Sequence, residues 1–341
     1  MTKMTTTILI AIAALLAIGA QAQQINLPQN RNAALAYWMA FANLNDQPTD
    51  EKTTKLIDSV LAGSAEWDDA NLGPLVHQNE YALTLLHRAT QLPDCDWGLD
   101  YSQGQATDLG HLPKARALAR LNTLLAYRQM AKGDNTGAVE TLLSGLRFAQ
   151  DMSRGTSLIG ALSAKTTLLA DLRLLTKAVE SGSPSSSSLA KIGAALKAEP
   201  VEGLDWISSI KFEIWADKDA LKSFVEATPG EFSSQFRSSF GRDPGAVTQP
   251  TAADLAKFQT TMNDVADAFR LPTGQTAERI EQIQSKVRQM HQAAQDIVPN
   301  YLRTNEVRRQ IAAERDALVK ALAGSGVLST ANRKLHPANA R

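Results

Sequence analysis

Apolar residues recur along this chain at the three- and four-residue spacing of an α-helix, and nowhere do they alternate over the length of a strand. This is the tightest constraint on the fold, because an apolar stripe on a helix must be laid against another helix. Asn32 to Asn45 aligns Leu35, Trp38, Phe41 and Ala42; a helix capped by Thr49 or Asp50 aligns Leu56, Ile57, Val60 and Leu61. Pro74–Thr90, Ala115–Ala131, Ala138–Asp151, Ser157–Val179, Leu204–Ala227 and Ala252–Phe269 continue the pattern. The reading is all-α: antiparallel helical hairpins packed as a right-handed tetratricopeptide-like array or as an irregular bundle.

Composition narrows the function classes. With 35 Lys+Arg against 35 Asp+Glu the net charge is zero, so the basic footprint of a nucleic-acid binder is missing. One cysteine excludes a disulfide framework and a cysteine-ligated zinc site. That residue, Cys95, is flanked by Asp94 and Asp96, whose charge disfavours a nucleophilic thiolate, and a structural role is expected.

Residues 1–22 read as a secretory signal peptide. Lys3 precedes an apolar run from Ile8 to Ile18, and Ala20 and Ala22 supply the small side chains before a cleavage point. The run is too short to cross about 30 Å of hydrocarbon, so no membrane span is expected in the mature chain. No cysteine follows it to accept a lipid. The expected location is periplasmic or extracellular.

The tract Ser181–Ser188 interrupts the helical pattern and reads as a linker. It divides an N-terminal helical domain (23–180) from a C-terminal helical region (189–325) and a flexible tail (326–341). Thr228–Pro250, rich in Pro and Gly, is expected to be irregular apart from a short turn around Phe236. Thr276–Ala323 is charged and nearly continuous, with Pro299 kinking or dividing it into a long helix pair.

Leu124–Gly145 places Ala126, Ala138 and Gly145 where two antiparallel helices approach closely, with Gly133-Asp134 at the turn. The spacing resembles one tetratricopeptide unit, although Gln129 and Gln150 stand where that motif has an aromatic and a proline. Ala36-Tyr37-Trp38, Leu92-Pro-Asp-Cys-Asp-Trp97, Leu112-Pro113 with Arg116 and Ala119-Arg120, and Lys132-Gly-Asp134 resemble an uncharacterised exported bacterial all-helical family, over about Asn32–Thr176. The resemblance implies export and a helical architecture and brings no catalytic residues.

Two groups of residues carry candidate chemistry. His77, Glu80 and His87 share one expected helix, with Glu80 and His87 within about 20° of each other in projection. Glu80 and His77 are one turn apart and can share a metal ion; His87 lies two turns on, so a hydrogen-bonded or exposed helix face is the plainer reading. The loop Leu92–Leu112 carries Asp94, Asp96, Trp97, Asp100 and Tyr101. Aromatic faces with carboxylates make a sugar-binding patch, and a carboxylate pair at the right separation makes a glycosidase. The competing reading is that Trp97 and Leu99 plug the end of the core while the aspartates cap turns.

Nucleophile-elbow, phosphate-loop, dinucleotide and zinc-helix motifs are absent. Phe212 and Trp215 are expected to be helix neighbours within a core, and the mixed charges of the last helices to be a solvated face. The function expected is therefore a non-enzymatic interaction or scaffold module without a cofactor, its partner another envelope protein; the alternative is a glycan-binding or glycan-active protein using loop 92–112.

Overall fold

Short polar side chains set most of the helix starts. In the computed structural model Asn32 caps α1 (Ala33–Ala42), Asp50 caps α2 (Glu51–Leu61), and Asp68 caps α3 (Asp69–His77), each accepting a backbone N–H of the first turn. The chain continues through α4 (Glu80–Ala89), a 3₁₀ turn (Tyr101–Ala106), α5 (His111–Ala131), α6 (Asn135–Ser153) and α7 (Leu158–Glu180). Then follow α8 (Ser186–Ala198), α9 (Trp206–Glu226), α10 (Pro229–Phe240), α11 (Ala252–Ala268), α12 (Thr273–Val287), α13 (Gln292–Ile297) and α14 (Tyr301–Gly324). The structure describes residues 30–45, 50–155, 157–198, 200 and 202–325. The expected signal peptide and C-terminal tail lie outside the described residues.

The fold is all-α. Among the described residues there is no strand, and extended backbone meets only where Ala33 N donates to Asp94 O at 2.7 Å. The described residues from Asn32 onward form one compact unit. Helix α6 packs along both α5 and α7, α14 lies along α7, and α1 lies along α4.

Two apolar clusters fill this unit. The first joins α1–α8 to Leu204 and Trp206, and to Val307, Ile311, Leu318 and Leu322 of α14. The second joins α9–α13 to Leu158 and to Tyr301 at the start of α14. A 24-residue helix spans about 36 Å, long enough for α14 to serve both.

Several sequence expectations change here. Residues 186–188 form the first turn of α8 instead of a linker: the Ser185 hydroxyl accepts Ser188 N at 3.2 Å. Leu189, Ile192 and Leu196 of α8 pack into the first cluster, so the serine tract does not separate the cores. Residues 229–240 are helical, because Thr228 and Glu231 make a capping box, Pro229 occupies the first turn and Gly241 closes the helix at φ 65°. The C-terminal pair is three helices, with Pro299 just before α14. The single helix expected over Pro74–Thr90 is α3 and α4, broken at Gln78-Asn79. Buried Asn79 returns its amide N–H to Leu75 O at 2.9 Å and accepts Asn45 N at 2.9 Å.

Candidate functional site

The acidic-aromatic loop is anchored from beneath. Asp151 O, near the end of α6, accepts Trp97 Nε1 at 2.8 Å, and the Asp151 carboxylate accepts Tyr37 Oη at 2.8 Å and Arg147 Nε at 3.2 Å. Arg147 also donates to Leu92 O and Pro93 O, at 3.3 and 3.1 Å. The Trp97 ring is 4% exposed, lying parallel to Phe41 at 6.1 Å and stacked on His111 at 4.6 Å. A sugar therefore finds no open indole face, and the patch proposed at Trp97 is corrected to a core plug.

The other loop residues hold the loop's own turns and its neighbours. Asp96 Oδ1 accepts Gly98 N at 3.0 Å. Asp100 accepts Ser102 N, Ser102 Oγ and Gln103 Nε2, and these donors hold its carboxyl below the usual range. Tyr101 donates to Gly155 O and sets its ring 5.3 Å from Phe212, which in turn lies 5.8 Å from Trp215. Asp94 contributes its carbonyl to the Ala33 bond.

The break after His77 also rearranges the histidine group. His77 Nδ1 meets Glu80 Oε1 at 3.0 Å on the surface, where Arg128 stands 3.7 Å from the same oxygen. His87 turns inward instead, its Nε2 2.8 Å from Asn122 Oδ1. Because Asn122 Nδ2 donates to Thr141 O at 2.9 Å, Oδ1 is the acceptor and His87 Nε2 carries the proton. Burial pushes the imidazole pKa down. Among the described residues no three His, Cys, Asp or Glu side chains gather around one metal position.

Behind His87 the polar side chains continue into the bundle. Asp171, fully buried on α7, accepts Thr123 Oγ1 at 2.7 Å, and burial pushes its carboxyl up to about 8. Gly145 makes room for both neighbours: a Cβ there falls 2.1 Å from Asp171 Oδ2 and 2.9 Å from Asn122 Nδ2. The small residue that looks like a helix-approach glycine is thus a socket for two polar side chains. In sequence the only trace of Asp171 is one charge within the run Leu168-Leu169-Ala-Asp171-Leu172.

Thr123 also lies on the floor of a cleft of about 610 Å³ between α2, α5 and α7. Arg116, Arg120 and Thr123 follow one another at four and three residues on α5; Ser163, Thr166, Thr167, Ala170 and Arg173 share the facing stripe of α7. Ile57 and Leu61 of α2 supply an apolar wall carrying Asp58, whose Oδ1 lies 2.5 Å from Arg120 Nη2. Arg173 Nε meets Glu314 Oε1 of α14 at 2.6 Å. None of these cleft residues was singled out by sequence as a site: Arg116 and Arg120 read there only as resemblance positions.

Compared with known proteins, the chain matches no family model, no curated protein and no solved structure.

Proposed function

We propose that this is an exported, non-enzymatic binding protein whose helical hairpins, α5–α6 being tetratricopeptide-like, form a scaffold around the α2/α5/α7 cleft. The observation that carries this reading is the cleft's lining. Stripes of α5 and α7 present guanidinium, hydroxyl and small apolar groups to one concave space instead of packing it shut. The acidic-aromatic loop supports a glycan reading less well, because Trp97 lies inside the core.

Filling the cleft tests the proposal. Ala117 lines it half-buried, so Ala117→Trp occupies the space from the α5 side. Purified wild-type protein is expected to retain an envelope partner that the variant loses while its circular-dichroism spectrum is unchanged. Retention of the same partners by both proteins, or of none by the wild type, would overturn it.

A further inference from the structure

We infer that the α2/α5/α7 cleft binds an oxyanion carried on an apolar body, a carboxylate or phosphate monoester with a hydrocarbon portion. This rests on the cleft being a binding surface and names the class of ligand it takes.

Charge is the first argument. The whole chain is neutral, yet the cleft is lined by three guanidiniums, Arg116, Arg120 and Arg173, against one carboxylate, Asp58. Arg116 is exposed and makes no hydrogen bond or ion pair among the described residues. It stands one helical turn from Arg120, and like charges at that spacing repel unless an anion lies between them. The existing partners are replaceable. The Arg120 and Asp58 side chains are 39% and 63% exposed, and an ion pair this open to solvent stabilises little; Arg173 is 60% exposed, although its partner Glu314 is 26% exposed. A planar guanidinium fork matches carboxylate and phosphate oxygens in a bidentate geometry.

Hydrogen-bonding capacity is the second. Ser163, Thr166 and Thr167 line the cleft, and their hydroxyls make no hydrogen bond among the described residues. Donors left in this way beside guanidiniums suit further oxygen atoms of the same anion.

Shape and apolar surface are the third. Ile57, Leu61, Pro113, Ala117 and Ala170 line the same space, and about 610 Å³ lies within the range of small-molecule sites. The lining holds no aromatic ring, so it lacks the stacking platform that single-stranded nucleic acid uses.

The experiment is isothermal titration of the full chain with dodecanoate and with dodecyl phosphate, each below its micelle concentration. Inorganic phosphate and dodecyltrimethylammonium are the controls. Saturable one-to-one binding of at least one anionic amphiphile is expected, with the two arms separating carboxylate from phosphate recognition. Arg116→Glu is expected to weaken it at least tenfold and Ala117→Trp to abolish it, both variants melting like wild type. The ammonium amphiphile is expected not to bind, and inorganic phosphate to bind more weakly than its dodecyl ester. The inference is overturned if neither anion binds, if the ammonium compound binds as well, or if affinity survives both substitutions. Loss of an envelope partner in Ala117→Trp without amphiphile binding leaves the cleft as an interaction site and rejects the ligand class alone.

Discussion

Tyr37 on α1 donates a 2.8 Å hydrogen bond to the buried carboxylate of Asp151 on α6, 114 positions along the chain. The same carboxylate receives Arg147, and the Asp151 carbonyl receives the Trp97 indole. Removing the phenol with Tyr37→Phe takes one donor from the buried carboxyl group and is expected to cost about 1–2 kcal/mol in urea denaturation. Asp151→Ala leaves Tyr37 without its acceptor and Arg147 without its carboxylate, holding only Leu92 O and Pro93 O, and is expected to cost about 3 kcal/mol or more. Equal stability of Tyr37→Phe and wild type would show that the bond contributes nothing net.

Asp171 gives the chain a pH dependence of definite sign. Unfolded, its carboxyl ionises near pH 4, whereas burial in the fold pushes it up to about 8. Below pH 4 both states hold the proton. Between about 4 and 8 only the folded state does, so this group's contribution to stability declines as pH rises and is lost above 8. The accumulated loss is on the order of 5 kcal/mol. Asp171→Asn stays neutral throughout, so its denaturation midpoint is expected to fall less than that of wild type between pH 5 and pH 8. Identical slopes would mean that the carboxyl ionises normally.

Gly145 is expected to resist replacement by alanine, although alanine is the better helix former by about 1 kcal/mol. The added methyl carbon meets Asp171 Oδ2 and Asn122 Nδ2 well inside contact distance. Overpacking of this kind costs about 1–3 kcal/mol, so Gly145→Ala is expected to lower the melting temperature. Combining it with Asp171→Ala tests the contact: the two effects are expected to be less than additive.

Trp97→Ala is expected to cost about 3–5 kcal/mol, because it leaves a cavity beside Tyr37, Phe41 and His111. Asp96→Ala, which removes one exposed turn contact, is expected to cost far less. Thermal denaturation of the pair distinguishes a plug from a surface platform, which either substitution would barely destabilise.

Cys95 is expected to be inert in the folded protein. Burial first, and the negative charge of Asp151 second, push its thiol far above the ordinary range. Reaction with a disulfide reagent at pH 8 is expected to proceed at the rate of unfolding and to accelerate in urea. Rapid stoichiometric labelling under native conditions would contradict this.

The elements that were legible in sequence are those whose causes are local. Asp134 after Gly133, Ser157 before a leucine-rich run, and the stripes of 252–268 each act within about four residues, and α6, α7 and α11 stand where these signals place them. The helix at 229–240 was equally readable from Thr228-Pro229-Gly-Glu231 and Gly241. There, proline and glycine read as breakers by composition, although their positions make them a start and a stop. The serine tract shows the same weakness: hydroxyl-rich composition reads as a linker, while one hydroxyl at the right offset starts a helix.

The sequence by itself determined an all-helical chain and most of its caps, because these follow from hydrogen bonds and side-chain spacing inside single turns. Not every stripe faces where spacing puts it: Leu35 and Trp38 of α1 and Trp215 of α9 are exposed, while Tyr37 and Ala40 take the buried side of α1. Tertiary packing decided that His87 turns to Asn122 and away from Glu80, that Trp97 faces inward, and that Arg116, Ser163 and Ile57 meet around one cleft. It also decided that Arg173 finds Glu314 across 141 positions. Such meetings depend on the angles and offsets at which whole helices dock, which are set by the summed packing of many side chains far apart along the chain.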